Sequence, residues 1–276
     1  MEIIGITGGK GGTGKSTISS SLACELAKKS KVLLVDADVD CPNDHLILNI
    51  KREFLKTVWQ RIPKWDYDKC IKCGLCGTVC KPNAIVSIKD KNPIFMQQQC
   101  NGCGACAFKC PVDAISWGKK EIGTIFKGKN HNIRFLSGEL KTNEPISEFV
   151  VNDINKIIEK EKDQYDYIII DTAAGTHCPV ISALEMCDNV FAVTEPTPLG
   201  SHDLEIILKL LKRLKIKSSI ILNRSDIGDK KIIKDLAGKY NSKLTAEIPY
   251  SKEIIDKYSK GVPIIGEFIQ KIIKEL

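Results

Sequence analysis

The stretch Gly8-Gly9-Lys10-Gly11-Gly12-Thr13-Gly14-Lys15-Ser16-Thr17 limits most sharply what this chain can fold into. From Gly9 to Ser16 it fits G-x-x-x-x-G-K-[ST]. Ile3, Ile4 and Ile6 precede it as a short apolar run that reads as a buried strand. Ile18, Leu22 and Leu26 follow at helical spacing. A strand, a glycine-rich loop and a helix in that order let the backbone wrap phosphates with its N–H groups pointing inward. The helix N-terminus adds the positive end of its dipole. In such a loop Lys15 reaches the β- and γ-phosphates and Ser16 holds Mg²⁺. Gly9, Lys10, Gly11, Gly12, Thr13, Gly14 and Thr17 complete the cradle.

The rest of the ordered pattern agrees with an α/β fold, a mostly parallel sheet flanked by helices. Val32-Leu33-Leu34-Val35 is continuously apolar, as a parallel strand covered on both faces should be. It delivers Asp36-Ala37-Asp38-Val39-Asp40 to the carboxyl end of the sheet, where ligands bind. Ile168-Ile169-Ile170 carries Asp171 to a second such strand end. Further strands are expected over 122–126, 133–136, 190–194, 216–222 and 244–248, and a helix over 146–158. The prolines in Glu195-Pro196-Thr197-Pro198 enforce a loop, with a helix starting near Ser201. Residues 51–65 lose the strand–helix rhythm. The closing segment 267–276 puts Phe268, Ile269, Ile272, Ile273 and Leu276 on one face, as a last helix packed on the sheet would.

Between the two halves lies an internal repeat. Cys70, Cys73, Cys76 and Cys80 are matched thirty residues on by Cys100, Cys103, Cys106 and Cys110. Each half reads C-x₂-C-x₂-C-x₃-C, the two-cluster ferredoxin spacing, in which the fourth cysteine of each half crosses to the other cluster. Cys70, Cys73, Cys76 and Cys110 are therefore expected to hold one [4Fe–4S] cluster, and Cys100, Cys103, Cys106 and Cys80 the other. One departure is Lys81 between Cys80 and Pro82, where the second half has Cys110-Pro111 directly. Zinc-binding C-x-x-C pairs are the competing reading, and the doubled pattern disfavours them. The expected division is residues 1–60 and 118–276 as one P-loop ATPase domain, with 61–117 inserted as a small α+β ferredoxin domain.

The chain has 276 residues, enough for one large core and a small module. No apolar run approaches the ~18 residues of a membrane span. The N-terminus enters a strand at once, so a cytoplasmic protein is expected, and twelve cysteines there point to metal rather than disulfides. The formal charge is +7. Two oxidised clusters with their thiolates would bring it down to about +3, which weakens the case for nucleic acid. Basic clusters at Lys212-Arg213 and Lys230-Lys231 read as solvated helix faces. DNA and membrane are accordingly not expected as partners.

With Lys10 near its start, K-G-G-T-G-K-S resembles the deviant Walker A loop of the MinD/ParA/nitrogenase-iron-protein class of ATPases. The whole chain resembles MinD-superfamily P-loop ATPases carrying a ferredoxin insert. The resemblance implies ATP hydrolysis with Mg²⁺ in a nucleotide-sandwich homodimer, with Lys10 reaching the partner's phosphates. It implies that Asp38 positions the attacking water, that Asp36 supports Mg²⁺ through water, and that Asp171 binds Mg²⁺ or its water. It further implies that Gly175 offers its N–H to the γ-phosphate, that Asn223 bonds adenine, with Arg224 beside it, and that the loop at Pro249 contacts the base. It places Cys178 near the dimer axis, where two copies could share a metal. The implied roles are assembly or transfer of iron–sulfur or metal clusters, ATP-gated electron donation to a protein acceptor, or positioning on DNA or membrane.

Overall fold

A computed structural model describes every residue except Lys89 and Ile265. In chain order the strands are β1 (Glu2–Thr7), β2 (Val32–Ala37), β3 (Glu53–Trp65), β4 (Ile85–Val86), β5 (Ile94–Phe95) and β6 (Ile115–Asn130). They continue with β7 (Ile133–Leu140), β8 (Tyr167–Thr172), β9 (Asn189–Thr194), β10 (Lys217–Asn223) and β11 (Lys243–Ile248). The helices are α1 (Lys15–Leu26), α2 (Asp44–Ile47), α3 (Leu75–Thr78), α4 (Ala105–Phe108) and α5 (Glu148–Glu161). After them come α6 (Cys178–Leu184), α7 (Pro198–Leu214), α8 (Lys230–Tyr240), α9 (Lys252–Ser259) and α10 (Glu267–Ile273).

Nine strands form one sheet in the order β11-β10-β9-β1-β8-β2-β7-β6-β3. Every pairing from β11 to β7 is parallel; only β6 with β7 and β3 with β6 run antiparallel. The continuous apolar runs follow from burial on both faces. Ile3, Leu33, Val35, Ile168 and Ile170 enter one core, against α5, α6, α7 and α8. Ile4, Ile6, Val32, Leu34 and Ile169 enter the other, under α1 and α10. The register pairs Asp36 with Asp171 at the carboxyl ends of β2 and β8, next to the loop that follows β1.

The structure departs from the sequence expectations at several points. Residues 53–65, read as irregular, form β3, and 122–126 is only the middle of β6. These strands pair from Glu53↔Lys127 to Trp65↔Ile115 as a long two-stranded ribbon. At its base Val58, Ile122 and Ile125 are buried in the core. Farther out the buried positions are Gln60, Pro63 and Lys120, which are not strand-like apolar residues, so the apolar alternation that reveals a half-buried strand fades. The expected domain boundaries at 60/61 and 117/118 fall inside these paired strands, which run through without a break. The helix expected from Ser201 starts at Pro198, because the Thr197 hydroxyl accepts from the Gly200 N–H at 3.0 Å as its cap.

The closing helix α10 lies where the apolar spacing puts it. Ile269 and Ile272 are fully buried against α1 and β11. Among the described residues no helix is long and apolar enough to cross a membrane. Ile272→Ala should cost about 2–5 kcal/mol of unfolding free energy, measured by chemical denaturation, because it leaves a cavity between α10 and the sheet. A surface-bound helix would give almost no change.

Candidate nucleotide site and cysteine pockets

The loop after β1 adopts the shape its glycines allow. Gly12 and Gly14 have φ of 79° and 97°, left-handed values that other residues resist. A Cβ on Gly11 or Gly12 would meet nothing within 4 Å, so these two line open space. Gly8 is constrained from behind: a Cβ there would sit 2.8 Å from the Val193 carbonyl. Lys15 is 7% exposed and its Nζ donates to the Lys10 carbonyl at 3.2 Å, bent back into its own loop. The cleft in front holds about 380 Å³. One end is lined by Gly11, Gly12, Gly14, Lys15, Ser16 and Asp38, the other by Pro249, Tyr250, Ser251, Ile254, Tyr258 and Phe268. A polar, cationic end and an apolar, aromatic end suit a phosphate chain and a base. Asn223 and Arg224 line the same cleft. The Asn223 amide donates to the Thr13 carbonyl at 2.8 Å and accepts from the Arg224 N–H at 2.9 Å, tying β10 to the loop.

Below the phosphate end sit three fully buried carboxylates, Asp36, Asp44 and Asp171. Asp36 is satisfied: it accepts from the N–H groups of Asn43 at 2.8 Å, Asp44 at 3.1 Å and Asp38 at 3.2 Å, folding the segment after β2 around itself. Both oxygens of Asp44 and both of Asp171 have no hydrogen-bond partner. Burial pushes all three carboxyls up, and repulsion from Asp171 adds to the rise at Asp36 and Asp44. Asp171 reaches about 7. Ser16, Lys15 and Ser19 lie near enough to pull it back partly. Orphaned buried carboxylate oxygens beside the Ser16 hydroxyl fit a divalent cation and its water shell. Asp38 is held by the Cys41 N–H at 3.3 Å, and its carboxyl is raised by burial against the lowering effects of that N–H, Lys15 and His177. Gly175 donates its N–H to the Gly8 carbonyl at 3.0 Å, so it lies against the phosphate loop.

Two residues here, Asp44 and Glu195, carry no expectation from sequence, and His177 carries one only beside Cys178 at a shared interfacial metal. Asp44 comes late in the segment after Asp38 and looks like an ordinary polar residue. His177 faces Asp38 from the start of α6. Glu195 is 4% exposed and pairs with both Lys10 at 3.0 Å and Arg224 at 2.6 Å. A carboxylate at a parallel strand end, immediately before a proline, was the available signal.

The eight repeat cysteines divide into two pockets. Cys80, Cys100, Cys103 and Cys106 line one with Pro63 and Trp117; Cys70, Cys73, Cys76 and Cys110 line the other with Trp65 and Ile115. Each pocket thus takes three cysteines from one half of the repeat and the fourth from the other. Short helices α3 and α4 follow Gly74 and Gly104 at equivalent places in the two halves. The Gly102 N–H donates to the Cys100 sulfur at 3.4 Å and the Ala114 N–H to the Cys110 sulfur at 3.3 Å. Burial pushes the Cys106 thiol up to about 11. Among the described residues no three His, Cys, Asp or Glu side chains converge on a single-ion site. The ribbon grips the pocket nearer the large sheet. Gln60 donates to the Cys100 carbonyl at 2.6 Å, and Arg61 to those of Gly102 at 2.8 Å and Cys103 at 3.3 Å. Of the remaining cysteines, Cys41 and Cys178 are exposed, Cys24 is half-buried and Cys187 is buried.

Residues 4–264 match the family model of the CobQ/CobB/MinD/ParA nucleotide binding domain. The chain belongs to this family. It is a MinD/ParA-type nucleotide-binding ATPase with the α/β P-loop fold. It is 37% identical to an uncharacterized protein of Methanocaldococcus jannaschii, over 95% of this chain and 90% of that one. It is 24% identical to the septum site-determining protein MinD of Thermotoga maritima, over 95% and 80%. It is 27% identical to the iron-sulfur cluster carrier protein of Rickettsia bellii, over 95% of this chain and 66% of the other. Among solved structures, MinD of Pyrococcus horikoshii complexed with Mg-ADP superposes with a TM-score of 0.62 at 21% identity, covering 99% of this chain and 93% of that one.

The raised carboxyls give the site a pH signature. A carboxyl whose value rises from 3.8 to about 7 on folding holds its proton longer in the folded state. Without nucleotide, stability should therefore fall as pH rises from about 4 through about 7. Binding of Mg²⁺-nucleotide near pH 6.5 should release protons, measured by calorimetry in buffers of different ionisation enthalpy. Asp171→Asn should reduce that release; an unchanged proton count would show that Asp171 is already ionised.

Proposed function

We propose that this ATPase is an iron–sulfur protein whose nucleotide-driven homodimer acts in the assembly or transfer of iron–sulfur or metal clusters to a cytoplasmic acceptor protein. The observation that carries the proposal is the sorting of eight cysteines into two four-thiol pockets on a ribbon that grows out of the ATPase sheet. Four thiolates per pocket and N–H groups aimed at sulfur fit a [4Fe–4S] cluster in each. Bound clusters supply one-electron chemistry and labile iron and sulfide. The carrier protein among the relatives supports the transfer reading. On this reading 61–117 is the ferredoxin insert within an ATPase domain of 1–60 and 118–276.

At the nucleotide cleft, Lys15 swings from the Lys10 carbonyl to the phosphates, and Ser16 and Asp171 hold Mg²⁺ and its waters. Asp36, with its lone pairs already used by backbone N–H groups, shapes the segment that carries Asp38. Asp38 then orients the attacking water, and Lys10 serves the partner's phosphates. Gly175 gives its N–H to the γ-phosphate in place of the Gly8 carbonyl. Asn223, Arg224 and Pro249 border the base. Cys178, exposed at the start of α6, is the proposed ligand of a shared interfacial metal.

One observation favours a second reading, electron donation with resident clusters. Gln60 and Arg61 clamp the loop bearing Cys100 and Cys103 through three carbonyls, as suits a group that stays. Positioning on DNA or membrane draws support from the MinD relatives, but the packed α10 and the insert speak against it.

Anaerobically reconstituted protein should carry close to eight irons per chain, measured by iron and sulfide analysis. Saturated protein holding zinc and no iron would refute the cluster assignment. With apo-acceptor present, cluster loss on ATP turnover supports transfer, whereas one-electron reoxidation with clusters retained supports donation. Lys15→Ala should weaken nucleotide binding about tenfold to a hundredfold. Asp38→Ala should keep binding and slow turnover about a hundredfold. Lys10→Ala should spare monomer binding and impair dimer-dependent hydrolysis; turnover at the wild-type rate would refute the role of Lys10 in trans.

A further inference from the structure

The Lys10 ammonium does not hang free in this monomer. It is 3.0 Å from Glu195 Oε2, and the other oxygen of the same carboxylate takes Arg224 Nη1 at 2.6 Å. The Glu195 side chain is 5% exposed, against 34% for Lys10 and 43% for Arg224. Its backbone is fixed as well. The Glu195 carbonyl accepts from the Thr197 N–H at 2.8 Å, and Thr194 donates to the Gly200 carbonyl at 2.8 Å in the same turn. A rigid, buried carboxylate thus holds two mobile cations from two different loops.

We infer that Glu195 is the positioning residue for Lys10, holding it at home in the monomer and releasing it on dimer closure, with Arg224 setting how easily it lets go. This rests on the reading of Lys10 as a lysine that acts in trans. A buried carboxylate stripped of its only cation is strongly disfavoured. Glu195 avoids that state because Arg224 stays when Lys10 leaves. Arg224 also lines the nucleotide cleft, next to Asn223, which is bonded to the phosphate loop at Thr13. Lys10, Glu195, Arg224, Asn223 and Thr13 therefore form a chain of contacts that links the trans lysine to the lining of the nucleotide cleft. Removing the carboxylate charge should free Lys10, while removing Arg224 should leave Lys10 as the sole counter-ion of Glu195 and tighten the hold.

The two substitutions are thus expected to act in opposite directions. Holo-protein is titrated with Mg²⁺ and an ATP analogue that resists hydrolysis, and dimer is read by sedimentation velocity. Glu195→Gln should dimerise at about fivefold lower protein concentration than wild type, since each dimer frees two half-exposed ion pairs. Arg224→Ala should need a severalfold higher concentration after correction for its own monomer affinity, measured with fluorescent ATP at concentrations below dimerisation. In a Lys10→Ala background Glu195→Gln should have no effect on dimerisation, which a merely structural role for Glu195 would not produce. The inference is overturned if Glu195→Gln dimerises like wild type or less readily, if both substitutions shift the curve the same way, or if the Glu195→Gln effect persists without Lys10. A wild type that stays monomeric with the analogue overturns the dimer reading, and the inference with it.

Discussion

The structure depends on a concentration of negative charge that the protein alone does not neutralise. Parallel pairing of β2 with β8 sets Asp36 opposite Asp171 at the carboxyl end of the sheet, and the turn after β2 folds Asp44 in beside them. Asp36 is compensated by three backbone N–H groups, and the segment from Asp38 to Asp44 takes its shape from those bonds. Asp44 and Asp171 are left with bare oxygens in a buried site, and their carboxyls are raised for that reason. Such a site is stable either with protons or with a cation. A divalent cation arriving with nucleotide would supply the charge that these carboxyls lack, next to the segment that carries Asp38.

The same logic governs the lysines above that floor. Neither Lys10 nor Lys15 waits in solvent. Lys15 leans on the Lys10 carbonyl and Lys10 on Glu195. Each holds a contact that phosphate oxygens can replace, so the loop is already folded and only side chains must move. Preorganised N–H groups and cations cost little further ordering when charge develops on a transferred phosphoryl group.

How much of this was legible in the sequence depends on how local each signal was. The phosphate loop carries its own explanation: glycines at Gly12 and Gly14 take backbone angles that other residues avoid, and Lys15 and Ser16 follow at fixed distance. The cysteine repeat was visible as a repeat, and the structure sets Cys80 beside the second half and Cys110 beside the first. The ribbon was not. Beyond Val58 and Ile122 the buried positions are Gln60, Pro63 and Lys120, none of them a strand-like apolar residue, so no apolar period of 2 or 3.6 marks the strands. Glu195 and Asp44 were hidden for another reason. Their importance lies in what long-range folding brings to them, Lys10 and Arg224 in one case and Asp36 and Asp171 in the other, and no local spacing encodes those meetings.

The ribbon also explains why the cysteine module is not a loosely tethered appendage. At the end of β7 the Leu140 N–H donates to the Val39 carbonyl at 2.8 Å, in the segment between Asp38 and Asp44. The next residue, Lys141, donates its N–H to the Ile122 carbonyl of β6 at 2.9 Å. Two residues back along β6, Lys120 is 6% exposed, pairs with Glu144 at 2.6 Å and donates to the Gln97 carbonyl at 3.3 Å, three residues before Cys100. Adjacent on the partner strand, Gln60 reaches the Cys100 carbonyl itself. A continuous run of backbone and buried polar contacts therefore joins the segment carrying Asp38 to the loop carrying Cys100 and Cys103. A flexible linker would leave the two ends free to move independently. Here the ion pair of Lys120 and Glu144 is shielded from solvent, so breaking it is costly, and displacement at Val39 is shared with the ribbon rather than absorbed by a loop.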